Sequence, residues 1–301
     1  MAHHDLAWTP SPIVVPPSQA PHRSTIILLH GRGQNAQKFH GPLLQTLVGS
    51  CTLREALSHA RFVFPTAPRS RATKYARMRI HQWFEGSGDW EPEAFGAMRP
   101  SLEYIDQLVR HEQQLLGGDA RRLVLAGFSQ GGATALSSLL LAETSPLGAV
   151  VSLCGFVPLC AHLTSILDQG DEPEPDDDVF ERREDAKATT PTQRVLEALR
   201  DEAEVDEPMA NSSAPRFLST PVFLAHGAKD PEVHVQQAVN AARLLKRLGM
   251  DVTLRVYQHL GHRYSAEMLC DLVQFLGRHI DEQDPTPRSG NASDNSRPSI
   301  C

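Results

Sequence analysis

The chain has 301 residues, 41% of them hydrophobic and 22% charged, so it can bury a sizeable core and is neither collagen-like nor low-complexity overall. Its formal net charge of −7 is unevenly spread: residues 168–207 carry 16 Asp/Glu against 5 Lys/Arg, a balance of −11 that leaves the remainder at +4. So weak a positive balance leaves no electrostatic footprint for nucleic acid or an anionic membrane surface, and neither is expected as a main partner.

In chain order, Met1-Ala2-His3-His4-Asp5-Leu6 lacks a basic stretch leading into an apolar run. No later window is apolar for long enough to span a bilayer, so neither secretion nor integral membrane association is expected. Residues 1–23 read as an N-terminal extension with a candidate edge strand at Ile13-Val14-Val15. Short apolar runs bounded by turn residues then recur at Thr25–Leu29, Phe62–Phe64, Arg122–Ala126, Ala149–Leu153, Pro221–Ala225 and Val252–Tyr257. Helical spacing is clearest at 101–116, 130–142, 232–248 and 265–280; Val235, Val239, Ala242, Leu245 and Leu248, for example, share one face. This alternation predicts an α/β fold over residues 24–282, a mostly parallel twisted sheet flanked by helices on both faces.

Two segments fall outside that core. Residues 167–214 are rich in Asp, Glu and Pro, with a brief helical candidate near Gln193–Leu199, and read as an inserted, largely disordered acidic loop. Residues 283–301 read as a flexible tail. The five cysteines (51, 154, 160, 270 and 301) are odd in number and lack paired metal-type spacing, which points to reduced thiols and a cytoplasmic location.

Chemistry concentrates in three turns that follow predicted strands. The run ending in Leu125-Ala126 enters Gly127-Phe128-Ser129-Gln130-Gly131-Gly132 and then a small-residue helical stretch. A sharp strand-to-helix turn exposes the central Ser129, and the helix N-terminus favours the negative charge of acyl transfer. Asp230 follows the strand ending at Ala225, in His226-Gly227-Ala228-Lys229-Asp230, and His262 follows the strand ending at Tyr257. A nucleophile, an orienting carboxylate and a base in the order Ser, Asp, His match a serine hydrolase triad. His259 is the rival base, and Gly261 favours His262 over it. His226 reads as a turn or packing histidine, and a metal site on His226 and Asp230 lacks further ligands, so no metal or cofactor is expected. Backbone N–H groups of Gln130 and of Arg32, in His30-Gly31-Arg32-Gly33, are the candidate oxyanion donors.

These blocks, together with Phe64-Pro65-Thr66-Ala67-Pro68, Trp83-Phe84-Glu85 and Tyr257 through His262, resemble the acyl-protein thioesterase / lysophospholipase / carboxylesterase family of α/β-hydrolases. The resemblance covers about residues 24–280 apart from the insertion. It implies the α/β-hydrolase fold and the triad Ser129, Asp230 and His262. It also implies oxyanion donors at Arg32 and Gln130, and a substrate-binding Trp83 near the acyl-binding loop, for which a core aromatic is the alternative. The implied function is hydrolysis of carboxylic esters or thioesters through an acyl-enzyme, with a lipidated protein among the candidate substrates and the protein acting as a monomer or weak dimer. The alternatives are a short-chain small-molecule carboxylesterase and a non-catalytic hydrolase-fold binding protein. Two departures from the family pattern stand out: Arg263 replaces the usual serine after the histidine, and Arg69–Arg77 is basic where a lipase lid would be apolar.

Overall fold

The computed structural model describes residues 10–85, 98–141, 145–169, 190–205 and 216–280. Strands β1 (Ile13–Val15) and β2 (Ser24–Leu29) lead into α1 (Ala36–Leu44), a small hairpin of β3 (Leu47–Val48) and β4 (Cys51–Thr52), the single turn α2 (Leu53–Ala56), and β5 (Ala60–Phe64). A second hairpin, β6 (Arg69–Ala72) and β7 (Met78–His81), precedes α3 (Arg99–Leu115). Strand and helix then alternate through β8 (Leu123–Phe128), α4 (Gln130–Leu141), β9 (Ala149–Leu153), α5 (Cys160–Asp168), α6 (Pro191–Ala203), β10 (Val222–Gly227), α7 (Val235–Arg247), β11 (Val252–Tyr257) and α8 (Ala266–His279).

The central sheet runs in the order β1-β5-β2-β8-β9-β10-β11, parallel throughout except for the edge strand β1, which pairs antiparallel with β5. Strands β8 and β9 are buried at every position, as a parallel sheet covered on both faces requires. Because side chains alternate along a strand, Ile27, Leu29, Leu125 and Val150 pack toward α3, α4 and α7, whereas Ile26, Leu28, Val124 and Val151 pack toward α1 and α8. Capping fixes where several helices begin: Asn35 Oδ1 accepts from the Lys38 N–H at 2.9 Å before α1, and Ser265 Oγ accepts from the Met268 N–H at 3.1 Å before α8.

The predicted strands are all present, and α3, α4, α7 and α8 begin and end within three residues of the predicted windows. The α7 stripe is broader than expected, since Ala238, Ala241 and Leu244 are buried beside Ala242 and Leu245 while Val235 and Val239 are half-buried. The acidic segment needs a larger correction. Thr190 and Gln193 form a reciprocal capping box, and α6 then buries Val195, Leu196, Leu199 and Ala203 in the same core as α3 and α4. Residues 190–205 are therefore part of the folded unit and not a disordered loop; their acidic residues occupy the outer face. Residues 170–189 and 206–215, and the predicted tail, lie outside the described residues.

The reduced-thiol expectation holds for Cys51, Cys154 and Cys160 but not for Cys270, which is disulfide-bonded. Among the described residues, no helix is long and apolar enough to cross a membrane.

Candidate active site

The site is built at the carboxyl ends of β2, β8, β10 and β11, where the strand-to-helix turns of a parallel sheet gather. Strand β8 enters a turn in which Ser129 takes the left-handed conformation, φ 55°, before α4 starts at the next residue. That strained backbone is held by hydrogen bonds from the Ser129 N–H to Leu153 O at 2.8 Å and from the Ala133 N–H to Ser129 O at 3.0 Å. Gly131 is required by close approach: a Cβ there would lie 2.3 Å from Leu29 O, so only glycine lets α4 sit against β2.

Ser129 Oγ lies 2.9 Å from His262 Nε2, and His262 Nδ1 lies 2.7 Å from Asp230 Oδ2. The carboxylate is the best-held group of the three. Its Oδ1 accepts from the Glu232 and Val233 N–H groups, each at 2.9 Å, and its side chain is fully buried. Burial opposes ionisation of Asp230, but hydrogen bonds from His226, His262 and the Val233 N–H outweigh it and hold the carboxyl below the usual carboxylate range. The Asp230 and His262 turns converge because Gly227 lets two backbones touch: a Cβ on it would lie 2.3 Å from Leu260 O. Hydrogen bonds from the Ala228 N–H to Tyr257 O and the Lys229 N–H to Leu260 O lock the contact. The imidazole of His262, 19% exposed, also packs 5.1 Å from the ring of Phe128. His259, the rival base, points outward and is exposed, as is Arg263.

The loop carrying Arg32 is pinned from two sides. His30 Nε2 accepts from the Ala67 N–H at 3.0 Å, which leaves Nδ1 to donate to Gly31 O at 2.8 Å, and the Gly33 N–H donates to His81 O at 2.7 Å. Trp83, expected from the sequence as either a substrate-binding residue or a core aromatic, is 1% exposed, and its indole N–H donates to His30 O at 2.7 Å, so it braces the loop that carries Arg32 from within the core. Gln130 contributes more than its backbone. Its N–H, in the first turn of α4, has no partner within the helix, while its buried side chain accepts from the Trp83 N–H at 3.0 Å and donates to Phe84 O at 2.9 Å. This clamp joins the Ser129 turn to the loop beneath Arg32. The Trp83-Phe84 pair marks the place in the sequence, but a side chain pairing across 47 positions has no local signal.

Sequence reasoning also passed over Cys154. Its Sγ lies within 4.8 Å of the Asp230 carboxylate and a His262 ring nitrogen, and it donates to Arg263 O at 3.6 Å. Burial, then the neighbouring Asp230, pushes the thiol up to about 12, so it stays protonated and is a donor, not a nucleophile. The basic block forms the β6–β7 hairpin, in which Arg71 pairs with Arg79 and Arg69 with His81, placing three exposed arginines on one face.

Burial presses the pKa of His30 down to about 4 from 6.5. The unfolded chain therefore takes up a proton that the folded chain refuses between these values, so stability is intact above pH 6.5 and falls as pH drops toward 4. The expected loss is roughly 3 kcal/mol at full protonation. Urea midpoints measured from pH 7 to 4 on wild type and His30→Gln check this: the gap between the two should change with pH, and a constant gap would rule it out.

A mostly parallel sheet with helices on both faces, and a strained serine turn between its central strand and a helix, define the α/β-hydrolase class. The chain belongs to the phospholipase/carboxylesterase family, whose model matches residues 10–169. The model of the prolyl oligopeptidase family also matches, over residues 105–283, the part that carries Ser129, Asp230 and His262. Acyl-protein thioesterase 1 of Yarrowia lipolytica is 32% identical over 158 residues, 52% of this chain and 67% of the relative. That of Gibberella zeae is 27% identical over 277 residues, 90% of this chain and 96% of the relative. Among solved structures, Arabidopsis thaliana SOBER1 superposes with TM-score 0.61 at 20% identity, covering 86% of this chain and 99% of its own. Zea mays acyl-protein thioesterase 2 gives 0.60 at 23%, covering 89% and 98%. At these identities the superpositions speak for the fold. The chain is a serine hydrolase of carboxylic esters or thioesters, similar to the acyl-protein thioesterases.

Proposed function

We propose that Ser129, His262 and Asp230 are the catalytic triad of a single hydrolase unit spanning residues 24–282, with the Gln130 and Arg32 N–H groups as oxyanion donors, and that the substrate is a thioester on a lipidated protein. The observation that carries the triad is the continuous pair of hydrogen bonds, 2.9 Å and 2.7 Å, through His262. His262 Nε2 takes the Ser129 proton as Oγ attacks the acyl carbonyl, and the oxyanion draws on N–H groups at the start of α4. Asp230, kept ionised and aligned, stabilises the imidazolium, which then protonates the departing thiol or alcohol. Water repeats the sequence on the acyl-enzyme and frees the acid.

The substrate half of the proposal draws on the names of the fungal relatives, which are acyl-protein thioesterases. A second reading, a carboxylesterase for short acyl chains, is favoured by two observations: Trp83 is buried and not presented to substrate, and the nearby hairpin is cationic. The two readings part on substrate length. On the thioesterase reading, kcat/KM rises along p-nitrophenyl acetate, butyrate, octanoate and palmitate, and an S-palmitoyl peptide is cleaved. A maximum at acetate or butyrate with an inert S-palmitoyl peptide would decide for the second.

A further inference from the structure

Asp230 Oδ2 receives two histidines, and the triad uses one of them. The second is His226, on β10 itself, with no solvent exposure. Its Nε2 lies 2.7 Å from Val233 O and 3.2 Å from Asp230 Oδ2. Val233 O can only accept, so Nε2 carries a hydrogen, and that N–H is shared between the carbonyl and the carboxylate. The other ring nitrogen, Nδ1, is buried with no hydrogen-bond partner. A hydrogen there would be an orphaned buried donor, so the surroundings favour the tautomer with its hydrogen on Nε2.

We infer that His226 is a positioning residue for the hydrolytic reaction: its Nε2–H clips the 230–233 turn to the sheet and fixes the rotation of the Asp230 carboxylate so that Oδ2 meets His262. The geometry of the turn shows why a clip is needed. The two backbone N–H groups that hold Asp230 both bind Oδ1, so the carboxylate could still swing Oδ2 about that anchor. Oδ2 faces His262 Nδ1 and His226 Nε2, and the Cys154 thiol lies beside the carboxylate, within 4.8 Å of it. His262 is the partner to be aligned and is itself half-buried. Cys154 is a weak donor that also reaches Arg263 O. His226 alone ties Oδ2 to a rigid strand: its Cα pairs in register with Val256 of β11, the strand from which the His262 turn departs. One imidazole thus references the acid and the base to the same two strands.

The inference rests on the triad assignment and adds to it a residue that touches neither substrate nor reacting atoms. Glutamine can place a side-chain N–H where His226 Nε2 stands, asparagine reaches only as far as Nδ1, and methionine fills the volume with no donor. His226→Gln is expected to keep kcat within about threefold of wild type, and His226→Asn and His226→Met to lose about 10- to 100-fold in kcat, the scale of a small misalignment of a catalytic group. KM for p-nitrophenyl butyrate should stay within about twofold in all three, because the acyl-binding surface is untouched. Equal losses in the Gln and Asn variants, or an unchanged kcat in the Met variant, would overturn the inference. A purely structural histidine would lower Tm without this split between kcat and KM or the rescue by glutamine. Should the Asn and Met variants fail to fold, the wild-type protein still decides: two-bond 1H–15N correlation must show His226 protonated on Nε2 and bare on Nδ1, and the opposite tautomer overturns it. Absence of any turnover by wild type on activated esters would instead fault the triad assignment beneath it.

Discussion

Changing Ser129 to alanine is expected to abolish labelling by a fluorophosphonate and to lower ester turnover by about 10,000-fold or more, leaving only what binding and the oxyanion donors supply. The fold should survive. The hydrogen bond that the Ser129 side chain makes runs to His262, and the hydrogen bonds that hold its left-handed turn are made by backbone atoms, which alanine retains. Tm should therefore stay within a few degrees of wild type, and circular dichroism should be unchanged. Stoichiometric labelling of the Ser129→Ala protein would place the nucleophile elsewhere, and the His262 relay would lose its meaning.

Asp230→Asn is the next largest effect, for a reason that reaches beyond charge. Asparagine can keep its Oδ1 on the Glu232 and Val233 N–H groups, and its amide nitrogen then stands where Oδ2 was. Two donors now face that nitrogen, His262 Nδ1–H from 2.7 Å and His226 Nε2–H from 3.2 Å. His262 escapes by moving its proton to Nε2, where it points at Ser129 and can no longer accept a proton from it. The expected loss is about 10,000-fold in kcat, the scale seen when a triad histidine is held in the wrong tautomer. His226 cannot turn acceptor in the same way, because Val233 O still holds its Nε2–H, so the asparagine amide N–H that faces it is left as a buried donor without an acceptor, at a cost of about 1–3 kcal/mol. Steady-state kinetics and a urea titration of the same preparation read both effects. A variant retaining more than a tenth of wild-type kcat would remove Asp230 from the triad.

How much of this could be read in advance depended on how local the cause was. Strands β8, β9 and β10 are legible because burial on both faces demands unbroken apolar runs. Helices α3, α7 and α8 are legible because one buried stripe leaves a clear period. Helix α6 was underestimated: its Asp and Glu residues dominate the composition of the segment, while Val195, Leu196, Leu199 and Ala203, spaced for one face, supply the burial. Composition averages over all faces of a helix; packing uses one.

The same division runs through the site. The order Ser129, Asp230, His262, each just past an apolar run, together with the glycines that permit the turns, was written in the chain, because a strand-to-turn transition depends on neighbouring residues. Trp83 could be read as lining the substrate site or filling the core, since an aromatic side chain suits both, and only the packing that brings its indole to His30 O decided for the core. Gln130 bridging to Trp83 and Phe84, Cys154 beside the acid, and His226 on Asp230 Oδ2 were likewise decided by tertiary structure alone. Hydrogen bonds between side chains on different strands have no period and no fixed spacing. They exist because a parallel sheet, once formed, delivers its strand ends to one edge.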